Sequence, residues 1–221
     1  MPQTLYAIAS GPRRDGDGLM PEPKDEDLLI AAGQGDRTAF SVLVERHHQP
    51  VLRFIYRFLS NVDSDTAEDL AQDVFLSAWK SAPRFRPRAK VSTWLLRITT
   101  NACLNHQRSR RLRRAVSLGG IQAEGKLAAR GDTGEARMSA GEREAAVRRA
   151  VAGLPSAQRA AIVLRHYENL AYAEIAEVLE VSVSAVESLL FRARKSLRSS
   201  LRSESAGESP QVMPELGAES L

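Results

Sequence analysis

The stretch YAEIAEVLEVSVSAVESLLFRARKSLRSSL, residues 172–201, decides how this chain folds. Tyr172 to Leu179 has the apolar spacing of one short helix, Glu180-Val181-Ser182 reads as a turn, and Val183 to about Leu201 as a longer helix. The pattern is a helix-turn-helix. Small Ala176 falls where the two helices cross closely, and Ile175, Leu179, Val181, Val186 and Leu189 fall where the pair buries side chains. Glu180 takes a turn position that often needs a left-handed backbone, the conformation glycine adopts most easily. The second helix is basic, with Arg192, Arg194, Lys195, Arg198 and Arg202 against a single acid, Glu187. Such a helix fits a DNA major groove, early residues at base edges and cations on phosphates.

Upstream, residues 142–152 have helical period and end in Gly153-Leu154-Pro155. Proline suits a helix start, where its missing N–H would have no partner. Ala160, Ile162, Val163, Leu164 and Tyr167 form the next apolar set. Farther back, Phe40, Leu43, Val44 and His47 follow a helical stripe that Pro50 is expected to interrupt, and Val51, Leu52, Ile55 and Leu59 resume it. Asp65 followed by Glu68 resembles a capping box. The helix it opens has an apolar stripe at Ala67, Leu70, Ala71, Val74 and Ala78, while Asp69, Gln72, Asp73 and Leu76 share another face. Pro83 and Pro87 force an Arg-rich loop. Ser92 or Thr93 can cap the helix that follows, which buries Leu95, Ile98 and Ala102 and lines up Trp94, Arg97, Asn101, Asn105 and Arg108 on its other side.

The whole chain therefore reads as all-α, two small helical domains joined by a flexible linker: a leader at 1–24, a first domain at 25–114, a Gly-rich linker at 115–141, a second domain at 142–202 and an acidic, disordered tail at 203–221. The length of 221 residues suits one ordinary domain or two small ones, and 5% aromatic residues favour helices over a β-sandwich. No apolar run reaches the roughly 18 residues of a membrane span, and no secretory signal is visible, so no membrane insertion is expected. The lone Cys103 suits a reducing cytoplasm and a small core position. Four histidines, at 47, 48, 106 and 166, lack metal-site spacing. With no Walker loop, Rossmann fingerprint or nucleophile elbow, no catalytic residue and no cofactor is expected.

Net charge is only +4, but its distribution is sharply divided. Asn61 to Trp79 holds five acids and no Lys or Arg; Arg84 to Arg114 holds ten bases and no acid. Neighbouring surfaces of opposite sign suggest two different partners. A solvated helix surface would also explain Asp69 and Asp73, and a plain core position would explain Trp94.

Three segments in order, Ala67–Trp79, Ser92–Ile98 with Asn101, and Leu154–Arg194, resemble an extracytoplasmic-function sigma factor of the bacterial sigma-70 family, the short type with only domains two and four. The resemblance implies a cytoplasmic, non-catalytic initiation factor. Its partners would be core RNA polymerase, through the beta-prime clamp helices and the beta flap, promoter DNA, and an anti-sigma factor. It implies a polymerase-docking surface at Asp69, Gln72, Asp73, Phe75, Leu76 and Trp79. Phe85, Arg86, Arg88, Lys90, Thr93, Trp94, Arg97, Asn101 and Arg108 would read and open the −10 element. Ser184, Glu187, Ser188, Phe191, Arg192, Arg194 and Lys195 would face the −35 element. Glu187 departs from the basic residue often found there; a carboxylate can accept from cytosine N4. The competing reading is a stand-alone helix-turn-helix regulator. It accounts for residues 170–202 and leaves the acidic helix and the Trp94 stripe unexplained.

Overall fold

A computed structural model describes residues 22–60, 62–87, 90–117 and 140–206. Among these residues the regular structure is helical throughout, with no strand. The proposed linker and both tails lie outside them, apart from Glu22–Lys24 and short helical extensions into the linker and the C-terminal tail.

Helix α1 (Asp25–Gly33) opens on three acids, Asp25, Glu26 and Asp27, which suit the positive end of a helix dipole. Asp25 also ties α1 to α2 (Arg37–Leu59): Arg46 donates to its Oδ1 at 2.8 Å, and His47 Nε2 lies 2.6 Å from its Oδ2. Asp36 caps α2, accepting from the N–H groups of Thr38 and Ala39 at 2.9 and 3.0 Å. Contrary to the expected interruption, α2 runs straight through Pro50. Proline removes one backbone hydrogen bond at a cost of ~3 kcal/mol. The residues after it, Val51, Leu52, Phe54, Ile55, Phe58 and Leu59, are all buried, and their packing outweighs that local cost.

Helix α3 (Ser64–Ser81) is capped by Asp63, which accepts from Thr66 N–H at 2.8 Å; Asp65 sits inside the first turn instead of capping it. A 3₁₀ turn (Ala82–Arg84) follows and packs under α1. Gly33 makes that approach possible, because a Cβ there would stand 2.8 Å from the Ala82 carbonyl oxygen. Helix α4 (Val91–Ser117) is the longest, and it carries on past the expected domain end at residue 114. It starts at Val91, with Trp94 N–H donating to the Lys90 carbonyl, so Ser92 and Thr93 lie within its first turn. Together α1–α4 form one bundle around Phe54, Ile55, Phe58, Ala67, Val74 and Cys103.

The second bundle comprises α5 (Ala140–Ala152), α6 (Ser156–His166), α7 (Tyr172–Leu179) and α8 (Val183–Ala206), with α8 packed on the other three. The α7–α8 turn closes with Val181 N–H donating to the Ala176 carbonyl, and Glu180 has the expected left-handed backbone, φ 56° and ψ 43°. Ser182 Oγ then accepts from Ala185 N–H and starts α8. The buried seam differs by one residue at several points. Val178, Leu190 and Ala193 are buried with Ile175, Ala176 and Val186, whereas Leu179 and Leu189 are half-buried and Val181 is exposed. A seam at 186, 190 and 193 keeps the helical repeat, which 186 and 189 alone leave undetermined.

Candidate polymerase and nucleic-acid surfaces

On α3 the spacing of 69, 72, 73 and 76 puts Asp69, Gln72, Asp73 and Leu76 on one exposed edge. The opposite side, Ala67, Leu70, Ala71, Val74 and Ala78, is buried as its stripe requires. Two residues expected on the edge are elsewhere. Phe75 is buried and stacks with His48, ring centroids 6.3 Å apart; Trp79 is half-buried against Phe40 at 5.0 Å. Both support the edge from behind. Leu76, 55% exposed, gives the acidic edge an apolar centre.

The basic surface begins in the loop before α4. Phe85 is buried and meets Trp94 edge-on at 5.5 Å. Trp94 itself remains half-exposed, a ring face held in place by Phe85. Arg86 and Lys90 are exposed, and Arg88 lies outside the described residues. Thr93 is buried and turned into the bundle, away from the surface expected for it. Down α4, Arg97, Asn101, Asn105 and Arg108 are exposed along one side. The core side of α4 carries Thr99, whose hydroxyl donates to the Leu95 carbonyl, together with Thr100 and Cys103. Ile98 and Ala102, expected in the core, are only half-buried. Burial, with the charges of Arg110 and Arg113 adding to it, holds His106 below its ordinary value.

On α8 the residues Ser184, Glu187, Ser188, Phe191, Arg192, Arg194 and Lys195 are all exposed. Glu187, Ser188, Phe191 and Arg192 line one shallow depression, with Phe191 68% exposed. Arg194 donates to the Tyr172 hydroxyl at 3.0 Å, and Arg165 lies over the Tyr172 ring at 5.5 Å, so α7 helps orient this face.

Two contacts were not legible in the sequence. Arg159, on α6, is 5% exposed and donates to the carbonyls of Val151, Ala152, Leu154 and, in the first bundle, Phe58. Burial, with the Arg111 charge adding, pulls its guanidinium down to about 10, so it stays charged at neutral pH. Arg97 is the second: it pairs with Glu180 of the α7–α8 turn. Neither contact has a local signal, although Arg159 does stand one helical turn before Val163 on an apolar stripe.

Two family models match the chain, Sigma-70 region 2 over residues 43–113 and Sigma-70 region 4 over residues 144–197. The RNA polymerase sigma-H factor of Pseudomonas aeruginosa is 32% identical, over 83% of this chain and 97% of its own. The ECF RNA polymerase sigma factor SigM of Mycobacterium tuberculosis is 38% identical, over 82% of this chain and 87% of its own. This chain is an extracytoplasmic-function sigma factor of the sigma-70 family. The fold agrees: the structure of CnrH in complex with the cytosolic domain of CnrY superposes with a TM-score of 0.58 at 28% identity, covering 81% of this sigma factor and 98% of CnrH. As an RNA polymerase sigma factor, the chain acts in transcription initiation. No described helix of this sigma factor is long and apolar enough to cross a membrane. No group of three or more His, Cys, Asp or Glu among its described residues could hold a metal ion.

Proposed function

We propose that the sigma factor works in the cytoplasm with three surfaces, one for polymerase and two for DNA. Its first domain (residues 25–114) grips core polymerase through Asp69, Gln72, Asp73 and Leu76. It engages the −10 element through Arg86, Lys90, Trp94, Arg97, Asn101 and Arg108. The second domain (residues 142–202) meets the −35 element through Ser184, Glu187, Ser188, Phe191, Arg192, Arg194 and Lys195. The observation that carries this reading is the split of charge between adjacent helices. The free edge of α3 is acidic and the free side of α4 is basic. An acidic edge repels DNA, so it belongs to a protein partner, while the basic side suits phosphates.

Magnitudes support a division of labour with polymerase. Stacking in DNA averages about 1.4 kcal/mol per step, so opening roughly ten pairs costs on the order of 14 kcal/mol. Base capture on aromatic surfaces returns roughly 1–3 kcal/mol per base. Trp94 is the one half-exposed ring beside the described part of the basic loop, and one or two captured bases cover only a fraction of that cost. The remainder comes from the polymerase, to which the chemistry of RNA synthesis also belongs. An anti-sigma partner fits the same surfaces, as the CnrH complex with the CnrY cytosolic domain suggests by analogy.

Run-off transcription with purified core polymerase tests the reading. The wild-type chain should confer start-site selection, and Asp73→Arg should lose polymerase binding in a pull-down while the fold is kept. Unchanged affinity of Asp73→Arg refutes the docking edge. Specific operator binding by the chain alone, without support of initiation, would favour the stand-alone regulator instead.

A further inference from the structure

The two bundles of this sigma factor touch, and one of the contacts uses a residue assigned to DNA, Arg97. Helix α4 packs on α7, and α2 packs on α5 and α6. Arg159 reaches across to the Phe58 carbonyl at 3.1 Å, near the C-terminal end of α2, where a cation also meets the negative end of the helix dipole. Beside it, Arg57 pairs with Glu168 at 3.3 Å and lies over the Tyr167 ring at 4.8 Å. Ser156 Oγ donates to Gln107 Oε1 on α4 at 2.6 Å. At the far end of the contact, Glu180 holds Arg97.

This arrangement cannot serve both promoter elements together. The residues assigned to the −35 element span Ser184 to Lys195, which at about 1.5 Å per residue is roughly 17 Å of helix starting next to Glu180. All of them therefore lie within roughly 25 Å of Arg97. Elements named −10 and −35 are centred about 25 base pairs apart, which is roughly 85 Å at 3.4 Å per pair. The bundles have to separate before both elements are held.

Glu180 is an unexpected residue for its place. Its backbone is left-handed, a conformation that strains a residue with a Cβ and that glycine takes freely. Its carboxylate has the charge and acceptor oxygens of a phosphate, and it sits on one of the cations assigned to the −10 strand. We propose that the free sigma factor shields itself: its two bundles dock, and Glu180 occupies Arg97 in place of a DNA phosphate, so that nucleic acid and the docked state compete for the same guanidinium. This rests on the −10 role given to Arg97.

Both Arg97 and Glu180 are about half exposed, so the latch is weak and salt-sensitive, shifting the docked-to-open ratio by about one and a half- to fivefold. The test uses the full chain with cysteines introduced at exposed Ser41 and Ser199, labelled for distance measurement by energy transfer; buried Cys103 is protected from labelling in the native state. Wild type should show a docked population that shrinks by that factor in Glu180→Gly and equally in Arg97→Ala. The double variant should go no further than either single one. Glu180→Gly is at no risk of misfolding, since it relieves backbone strain. Single-stranded dT15 at low salt should favour the open population of wild type, and it should bind Glu180→Gly more tightly by the same factor. A wild-type chain with no docked population, an unchanged Glu180→Gly, or additive effects in the double variant overturns the latch. A shift in distance with no gain in dT15 affinity overturns the competition. If the distance shift persists but no form binds dT15, the nucleic-acid role of Arg97 itself is refuted.

Discussion

Replacing Arg159 by methionine should be among the most damaging single changes on the second bundle, and the structure sets its size. The guanidinium serves four carbonyls, those of Val151, Ala152, Leu154 and Phe58. Val151 retains a second donor, the Leu154 N–H at 3.1 Å, so three carbonyls lose the arginine with no such substitute among the described residues. At about 1–2 kcal/mol for each stranded buried acceptor, the gross loss is about 3–6 kcal/mol. Methionine offsets about 1–2 kcal/mol by filling the site with apolar volume and by ending the burial of a charge. The net expectation is a loss of about 2–4 kcal/mol, or a fall in Tm of roughly 4–16 °C at 2–4 °C per kcal/mol. Urea unfolding followed by far-UV circular dichroism measures it as a lower midpoint with an unchanged slope. Arg159→Lys should recover less than half, because an ammonium cannot spread planar donors over carbonyls from two bundles. A loss under about 1 kcal/mol, or a lysine variant as stable as wild type, would refute the assignment of Arg159 as a buried clamp.

Other expectations follow from single contacts. Asp36→Ala removes the acceptor for two N–H groups at the start of α2 and should cost about 1 kcal/mol, seen as a Tm lower by about 2–4 °C; an unchanged Tm would show that the cap adds nothing to stability. Burial pushes the Cys103 thiol up to about 12, so at pH 8 only about one molecule in ten thousand carries the thiolate. Iodoacetamide should therefore modify the native chain orders of magnitude more slowly than the urea-unfolded one, and equal rates would show that the site opens freely. Burial raises the Asp25 carboxyl, but the hydrogen bonds and charges of Arg46 and His47 outweigh it and leave the group below its ordinary value. Its contribution is thus present above the unfolded-state value and lost as pH falls through the lower folded value. An acid titration of stability should show Asp25→Asn with a shallower loss than wild type in that range, and parallel curves would exclude the ion pair as the cause.

Much of this fold could be read locally, because the residue patterns that set it are local. The stripe at 67, 70, 71, 74 and 78 gives the buried side of α3 without any knowledge of what covers it, and the exposed acids follow by default. The Glu180 backbone was also legible, since a turn between two helices of this spacing restricts it. What escaped was decided at a distance. Pro50 has a strong local meaning as a breaker, and only the burial of the six residues around the next two turns overrides it. Phe75 and Thr93 lie next in sequence to exposed residues, yet their side chains turn inward against His48 and the first bundle. Capping by Asp63 rather than Asp65 is a shift of two residues, which composition alone does not resolve when both are aspartates. Arg159 reads as a solvated base in a mixed helix, and nothing nearby in the chain announces the four carbonyls that await it.

Pro50 leaves α2 with a gap in its hydrogen-bond ladder at mid-length, between an amino-terminal half that is anchored to Asp25 and buries only Ala39 and Leu43, and a carboxy-terminal half that buries six residues. Such a rod yields first at its notch. Amide exchange along α2 should therefore fall into two tiers, with slow protons confined to the turns after residue 53, and Pro50→Ala should merge them. Forces applied to the amino-terminal half when a partner docks would then be absorbed as bending, sparing the aromatic centre on which the rest of the bundle is built.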